Sequence, residues 1–184
     1  MSSFHRRRFV AAAILLPLVP GTLLAQTPSC GKPTVPQTAG PFFKPRSPRK
    51  SNLRENAGQA PLLVVTGLVL SAQCKPVPNA LLDFWHADEL GDYDNSGFRY
   101  RGHQLTDAQG RFRLETIVPA EYPGRARHIH VNVQAPGGRI LTTQLYFPGE
   151  AGNRRDGLYR PDLTVAVRQT EPVMQAQYSF VVDA

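Results

Sequence analysis

The chain is short of several features that announce a function. It holds only two cysteines, Cys30 and Cys74, and neither lies in a Cys-x-x-Cys pair, which leaves them a structural role. Its one long apolar stretch, FVAAAILLPLV near the N-terminus, is too short and too broken by Pro and Gly to make a good membrane span. No convincing amphipathic helix and no internal repeat is evident. The positive charge is shallower than it looks: the formal balance is +7, and removing Arg6, Arg7 and Arg8 with a leader brings it to +4 over residues 26–184. No nucleic-acid partner is therefore expected, although the remaining excess suits attraction of an anionic aromatic acid.

What is present begins with residues 1–25, which read as an export signal: three arginines, an apolar run, then LLA before Gln26. RRRFV fits a twin-arginine pattern, and an ordinary secretory signal fits nearly as well. The mature protein is expected in the periplasm or outside the cell, with no membrane association after cleavage. In that oxidising setting Cys30 and Cys74 are expected to be bonded to each other. Closing so long a loop stabilises a fold by roughly 4 kcal/mol in the chain-entropy model.

Residues 26–61 are rich in Pro, Thr, Ser, Gly and basic side chains, sustain no period, and read as an extended N-terminal arm. Within it QTAGPFF carries an apolar pair that must dock on something. Residues 62–184 read as the core. LLVVTGLVL, ALLDFWHA, RFRLETI, HIHVNV, ILTTQLYF and QYSFVV are short apolar or alternating segments separated by turn signals about every ten residues. That pattern predicts an all-β, antiparallel β-sandwich with long functional loops. One such loop is DELGDYDNSG, whose Gly91, Asn95 and Gly97 oppose regular structure.

The segment YPGRARHIHVNV is where chemistry is expected. His128 and His130 stand two apart on a strand, so both imidazoles leave the same face about 6.6 Å apart. Tyr122 precedes them in a Pro/Gly-punctuated loop that can curl back toward that face. A pair of same-face histidines is by itself more often half-buried packing than a metal site, so further ligands are required. VNVQAPGG holds no acidic residue, which excludes the cupin-like pattern of His-x-His followed by Glu.

GLVLSAQCKPVPNALLDFWHADELGDY, then TDAQGRFRLETIVPAEYP, RHIHVNV and LTTQLYF, together resemble the core of the intradiol ring-cleavage dioxygenases, the family of protocatechuate 3,4-dioxygenase and catechol 1,2-dioxygenase. The resemblance runs from about Gln37 to Asp156. It implies a non-haem Fe(III) held by Tyr93, Tyr122, His128 and His130, and the donor types suit a hard ferric ion that keeps phenolates deprotonated. It further implies a catecholic substrate, cleaved by O2 between its hydroxylated carbons to a muconate-type diacid. Arg125, three residues before the first histidine, matches an arginine that stabilises the activated ring. Arg127 is its rival, because the Tyr122–His128 connection is shorter than in well-known members. Gln144 matches a glutamine behind the ligands, and Pro41 and Phe42 match an arm that borders the substrate pocket. A helical dimerisation domain of the catechol-dioxygenase type is not expected, and a homo-oligomer is left open.

The same rhythm of strands also fits a non-catalytic transthyretin-like or carboxypeptidase-regulatory-like binding module. The four ligands separate the two readings, since a binding module has no reason to gather them.

Overall fold

The computed structural model describes residues 31–54, 58, 60–168 and 171–184. The leader and Cys30 lie outside the described residues; Cys74 is disulfide-bonded. The described residues form nine strands and two 3-10 turns and contain no α-helix.

Strands β1 (Leu62–Ser71), β2 (Leu81–Trp85), β3 (Arg101–Leu105), β4 (Arg111–Ile117), β5 (His128–Gln134), β6 (Ile140–Tyr146), β7 (Ala166–Arg168), β8 (Val173–Gln177) and β9 (Phe180–Val182) make two sheets. One runs β4-β1-β8-β7 with β9 also on β1, and the other runs β3-β2-β5-β6. The expected sandwich is present and rich in antiparallel pairs, but β8 and β9 lie parallel to β1. QYSFVV is accordingly not one strand. Its first residue ends β8 and FVV forms β9, with the Tyr178 N–H donating to the Thr66 carbonyl between them.

The core follows from the alternation. Leu63, Val65 and Val69 of β1, Leu114 of β4, Leu82 and Phe84 of β2, and Ile129, Val131 and Val133 of β5 are all buried in one cluster. Residues on the opposite face of β1 and β4 stay polar where they meet solvent, as with Thr66 opposite Arg113. Burial of such branched side chains contributes about 1.5–3 kcal/mol each and is the main force holding the layers together.

Three strands escape the sequence pattern, β8 among them with four of its five residues outside any segment named above. β3, RGHQL, follows the DELGDYDNSG loop and carries no apolar alternation, yet pairs with β2 along its whole length. β7 is three residues at a sheet edge.

The arm is extended, as expected, and is tied to the sandwich by main-chain hydrogen bonds. Thr34 N–H donates to Val181, Gln37 N–H to Thr142 on β6, Lys50 N–H to His103 on β3 and Leu53 N–H to Glu115 on β4. It therefore passes from one edge of the β3-β2-β5-β6 sheet to the other. Gly40 to Phe43 lie between those anchor points, across the end of the sheet that carries the histidines.

Candidate metal centre

The register of the four-stranded sheet builds the floor of the site. Arg101 pairs with Trp85, Trp85 with His130, and His130 with Gln144, so these four side chains form one cross-strand row. His128 pairs with Tyr146 in the neighbouring same-face row. All six are almost fully buried.

The two imidazoles converge: His128 Nε2 lies 3.0 Å from His130 Nε2. His128 Nδ1 is 2.6 Å from the Ala126 carbonyl, an acceptor only, so the proton sits on Nδ1 and Nε2 carries a lone pair. Trp85 stacks on His130, with ring centroids 4.9 Å apart and 3° between planes. His130 Nδ1 is buried and has no hydrogen-bond partner among the described residues. Burial pushes His128 down to about 4, and the backbone hydrogen bond to Ala126 opposes that shift. Burial, with the neighbouring His128 next, takes His130 well below its usual range. Both rings are neutral at pH 7 and keep lone pairs for a cation.

Tyr93 reaches the same point from the loop after β2. Its hydroxyl lies 3.2 Å from His128 Nε2. Asp88 shapes that loop: its Oδ1 accepts the N–H groups of Leu90 and Asp92 at 2.9 and 3.0 Å. Gly91, at φ 92°, is needed because a Cβ there would stand 2.5 Å from the Glu121 carbonyl oxygen. This close approach lays the Tyr93 loop on the backbone of the Tyr122 loop, and the two phenol rings sit edge to face at 5.9 Å. The Tyr122 hydroxyl makes no hydrogen bond to a described residue. Burial raises the Tyr93 phenol far above its ordinary range, so a positive charge must be present for it to ionise.

The structure thus brings Tyr93, His128 and His130 into direct contact and sets Tyr122 beside them. Among the described residues no three His, Cys, Asp or Glu side chains group so as to hold a cation, so a centre here must draw on the phenols. The set fits a hard, positively charged ion, because two neutral imidazoles and a phenol point their donor atoms at one another.

The arm closes this end. Phe42 stacks on Tyr93 at 4.5 Å and meets Tyr122 edge-on at 5.2 Å. Gly40 adopts φ 66°, and a Cβ on it would touch His130 Cε1 at 3.6 Å. Pro41 between them is exposed.

Arg125 faces the site's second layer. Its Nε donates to Asp156 Oδ2 at 2.9 Å, and its Nη2 donates to Gln144 Oε1 at 2.7 Å and to the Tyr146 hydroxyl at 3.2 Å. Gln144 Nε2 in turn donates to the Thr38 carbonyl of the arm at 2.9 Å. Arg127 instead pairs with Glu150 at 3.4 Å.

Sequence reasoning missed Trp85, Arg101, Tyr146 and Asp156. Arg101 is 1% exposed and donates to the carbonyls of Asp94 and Phe42, thereby fastening the Tyr93 loop to the arm. The FW dipeptide could have flagged Trp85, but nothing local marks Asp156. A groove of about 1510 Å³ on another part of the surface, lined by residues such as Lys32, Thr66, Arg111 and Tyr178, contains none of the site residues.

Residues 38–183 match the family model Dioxygenase_C, described as Dioxygenase. The chain belongs to the intradiol dioxygenase family. It is 33% identical over 160 residues to catechol 1,2-dioxygenase 2 of Acinetobacter lwoffii, covering 72% of this chain and 58% of that protein. Among solved structures it is 50% identical to the dioxygenase domain of a dioxygenase carbohydrate-binding protein fusion from the cellulolytic bacterium Streptomyces sp. SirexAA-E. The TM-score is 0.81, with 83% of this chain and 99% of that one covered. The 3-chlorocatechol 1,2-dioxygenase of Rhodococcus opacus 1CP is 29% identical with a TM-score of 0.76, covering 81% of this chain and 72% of that one. The chain spans 44–61% of the length of the first three curated relatives that it matches.

Proposed function

We propose that this chain is an exported, non-haem Fe(III) intradiol dioxygenase that opens a catecholic ring with O2 between its two hydroxylated carbons, giving a muconate-type diacid. The observation that carries the reading is that His128 Nε2 lies within 3.2 Å of both His130 Nε2 and the Tyr93 hydroxyl, on a chain of this family. Tyr93, Tyr122, His128 and His130 would hold the iron. When bound, it supplies a Lewis acid that binds the catechol as a dianion and draws electron density from its ring.

The chain's own groups do the rest. Tyr122 Oη, with no hydrogen bond to a described residue, would as a phenolate take up one of the two protons that the catechol hydroxyls lose, the other passing to solvent. Arg125 supplies a fixed positive charge beside the ring as negative charge develops there. Gln144 holds that guanidinium through Oε1 and the arm through Nε2. Phe42, Trp85 and Tyr93 give the site apolar walls that keep water away from the reacting carbons. Export rests on the leader and on Cys74 being disulfide-bonded, which suits an oxidising compartment.

Ferric reconstitution tests the ligand set. The protein should become red-brown through phenolate-to-iron charge transfer, and anaerobic catechol should shift the band. A protein that stays colourless would overturn the assignment.

A further inference from the structure

Arg125 leaves a short turn closed by its own N–H donating to the Tyr122 carbonyl at 2.8 Å, so no strand fixes where its long side chain points. The hydrogen bonds of the guanidinium must do so. Nε is taken by Asp156 and Nη2 by Gln144 and Tyr146, while Nη1 bonds to no described residue. One nitrogen is thereby left to meet a substrate.

Asp156 is placed unusually for a charge on a connecting loop. Its side chain is 2% exposed, against 18% for Arg125. Besides Arg125 Nε, its Oδ2 accepts the Ala126 N–H at 2.9 Å, and its Oδ1 accepts the Leu158 N–H at 2.8 Å. A buried carboxylate is tolerated only when its lone pairs are so occupied, and this one is satisfied by three donors. Two of them belong to the segment between Tyr122 and His128. Ala126 is held at both ends, since its carbonyl receives His128 Nδ1 at 2.6 Å. One carboxylate thus orients the guanidinium and braces the residue that aims an imidazole.

We propose, building on the dioxygenase reading above, that Asp156 is a positioning residue for ring cleavage: it acts through Arg125, locking the guanidinium so that Nη1 faces the bound catechol. A loop clamp with no part in turnover would use the same bonds to Ala126 and Leu158, so the test must separate the two roles.

The test compares the ferric full chain with Asp156→Asn, Arg125→Ala and the double variant. Asn keeps the shape and an acceptor but loses the charge. Asp156→Asn should retain iron and the visible band, lose about 10- to 100-fold in kcat, and change KM by less than about threefold. In the Arg125→Ala background the same change should cost no more than about twofold, because the two residues act as a unit. Losses that multiply in the double variant, or a wild-type kcat in Asp156→Asn, overturn the proposal while leaving the dioxygenase reading intact. Should Asp156→Asn not fold, the wild-type chain decides: the Arg125 Nε–H, followed by 15N NMR, should exchange with solvent far more slowly than that of an exposed arginine. Exchange at the free rate overturns the clamp. A wild type that turns over no catechol overturns the dioxygenase reading and this proposal with it.

Discussion

The Tyr93 hydroxyl and His128 Nε2 lie 3.2 Å apart although 35 positions separate them in the chain. One is on a loop and the other on a strand, and the Tyr93 hydroxyl has no other hydrogen-bond partner among the described residues. Burial holds the proton on Tyr93, so only a bound cation would make this phenol an anion. Tyr93→Phe is therefore expected to bind less iron and lose much of the visible band, with kcat down by at least about 100-fold. Because the ring still stacks on Phe42, its thermal midpoint without metal should hardly move. Iron analysis, absorption and melting curves check the three parts.

His130→Ala removes one of the four residues that would hold the iron and should lose it more readily than wild type. Trp85, stacked on that ring, loses its partner as well, so the variant should also be less stable by about 2–4 kcal/mol. Chelator titration and urea unfolding measure the two effects separately.

Arg125 and Arg127 are neighbours in sequence but not in environment, one bonded to Gln144 and Asp156, the other paired with Glu150. Arg125→Ala should keep iron and lose about 100- to 1000-fold in kcat. Arg127→Ala should stay within about threefold of wild type. The opposite ranking in steady-state kinetics would reverse the assignment.

His86 gives a pH prediction independent of the metal. Fully buried between the Ala87 carbonyl and the Thr116 hydroxyl, it is pushed down to about 4, chiefly by burial. An unfolded histidine titrates near 6.5, so between about 6.5 and 4 the unfolded chain binds the extra proton. Stability is full above pH 6.5 and falls with pH toward 4, by roughly 3 kcal/mol from this residue. Unfolding of the metal-free protein across that range should show the decline, and His86→Gln should make it shallower by this residue's share, leaving the part due to His128 and His130, which are depressed in the same direction.

Much of the fold and part of the site could be read before any coordinates. β1, β4, β5 and β6 carry apolar or alternating runs with clear turn signals, and the two-residue period puts His128 and His130 on one face. Tyr122 could be suspected from its Pro/Gly loop just before His128, but Tyr93 was reachable only through resemblance, because the approach of the two loops depends on Gly91 and on contacts far apart in sequence. β3 was hidden by its polar composition: Gly102, His103 and Gln104 show no apolar alternation, and Arg101 is buried with its Nε and Nη1 donating to two backbone carbonyls far away in sequence or in the loop. The parallel placement of β8 and the return of Asp156 onto Arg125 are long-range outcomes that no local pattern carries.

The most direct test of the account is mass analysis of the product when the ferric protein is given catechol under 18O2. The account predicts a ring-opened diacid heavier than catechol by two oxygen atoms, with label from O2, formed without an added reductant. A semialdehyde, an unopened ring, or no consumption of catechol across a panel of substituted catechols would contradict it.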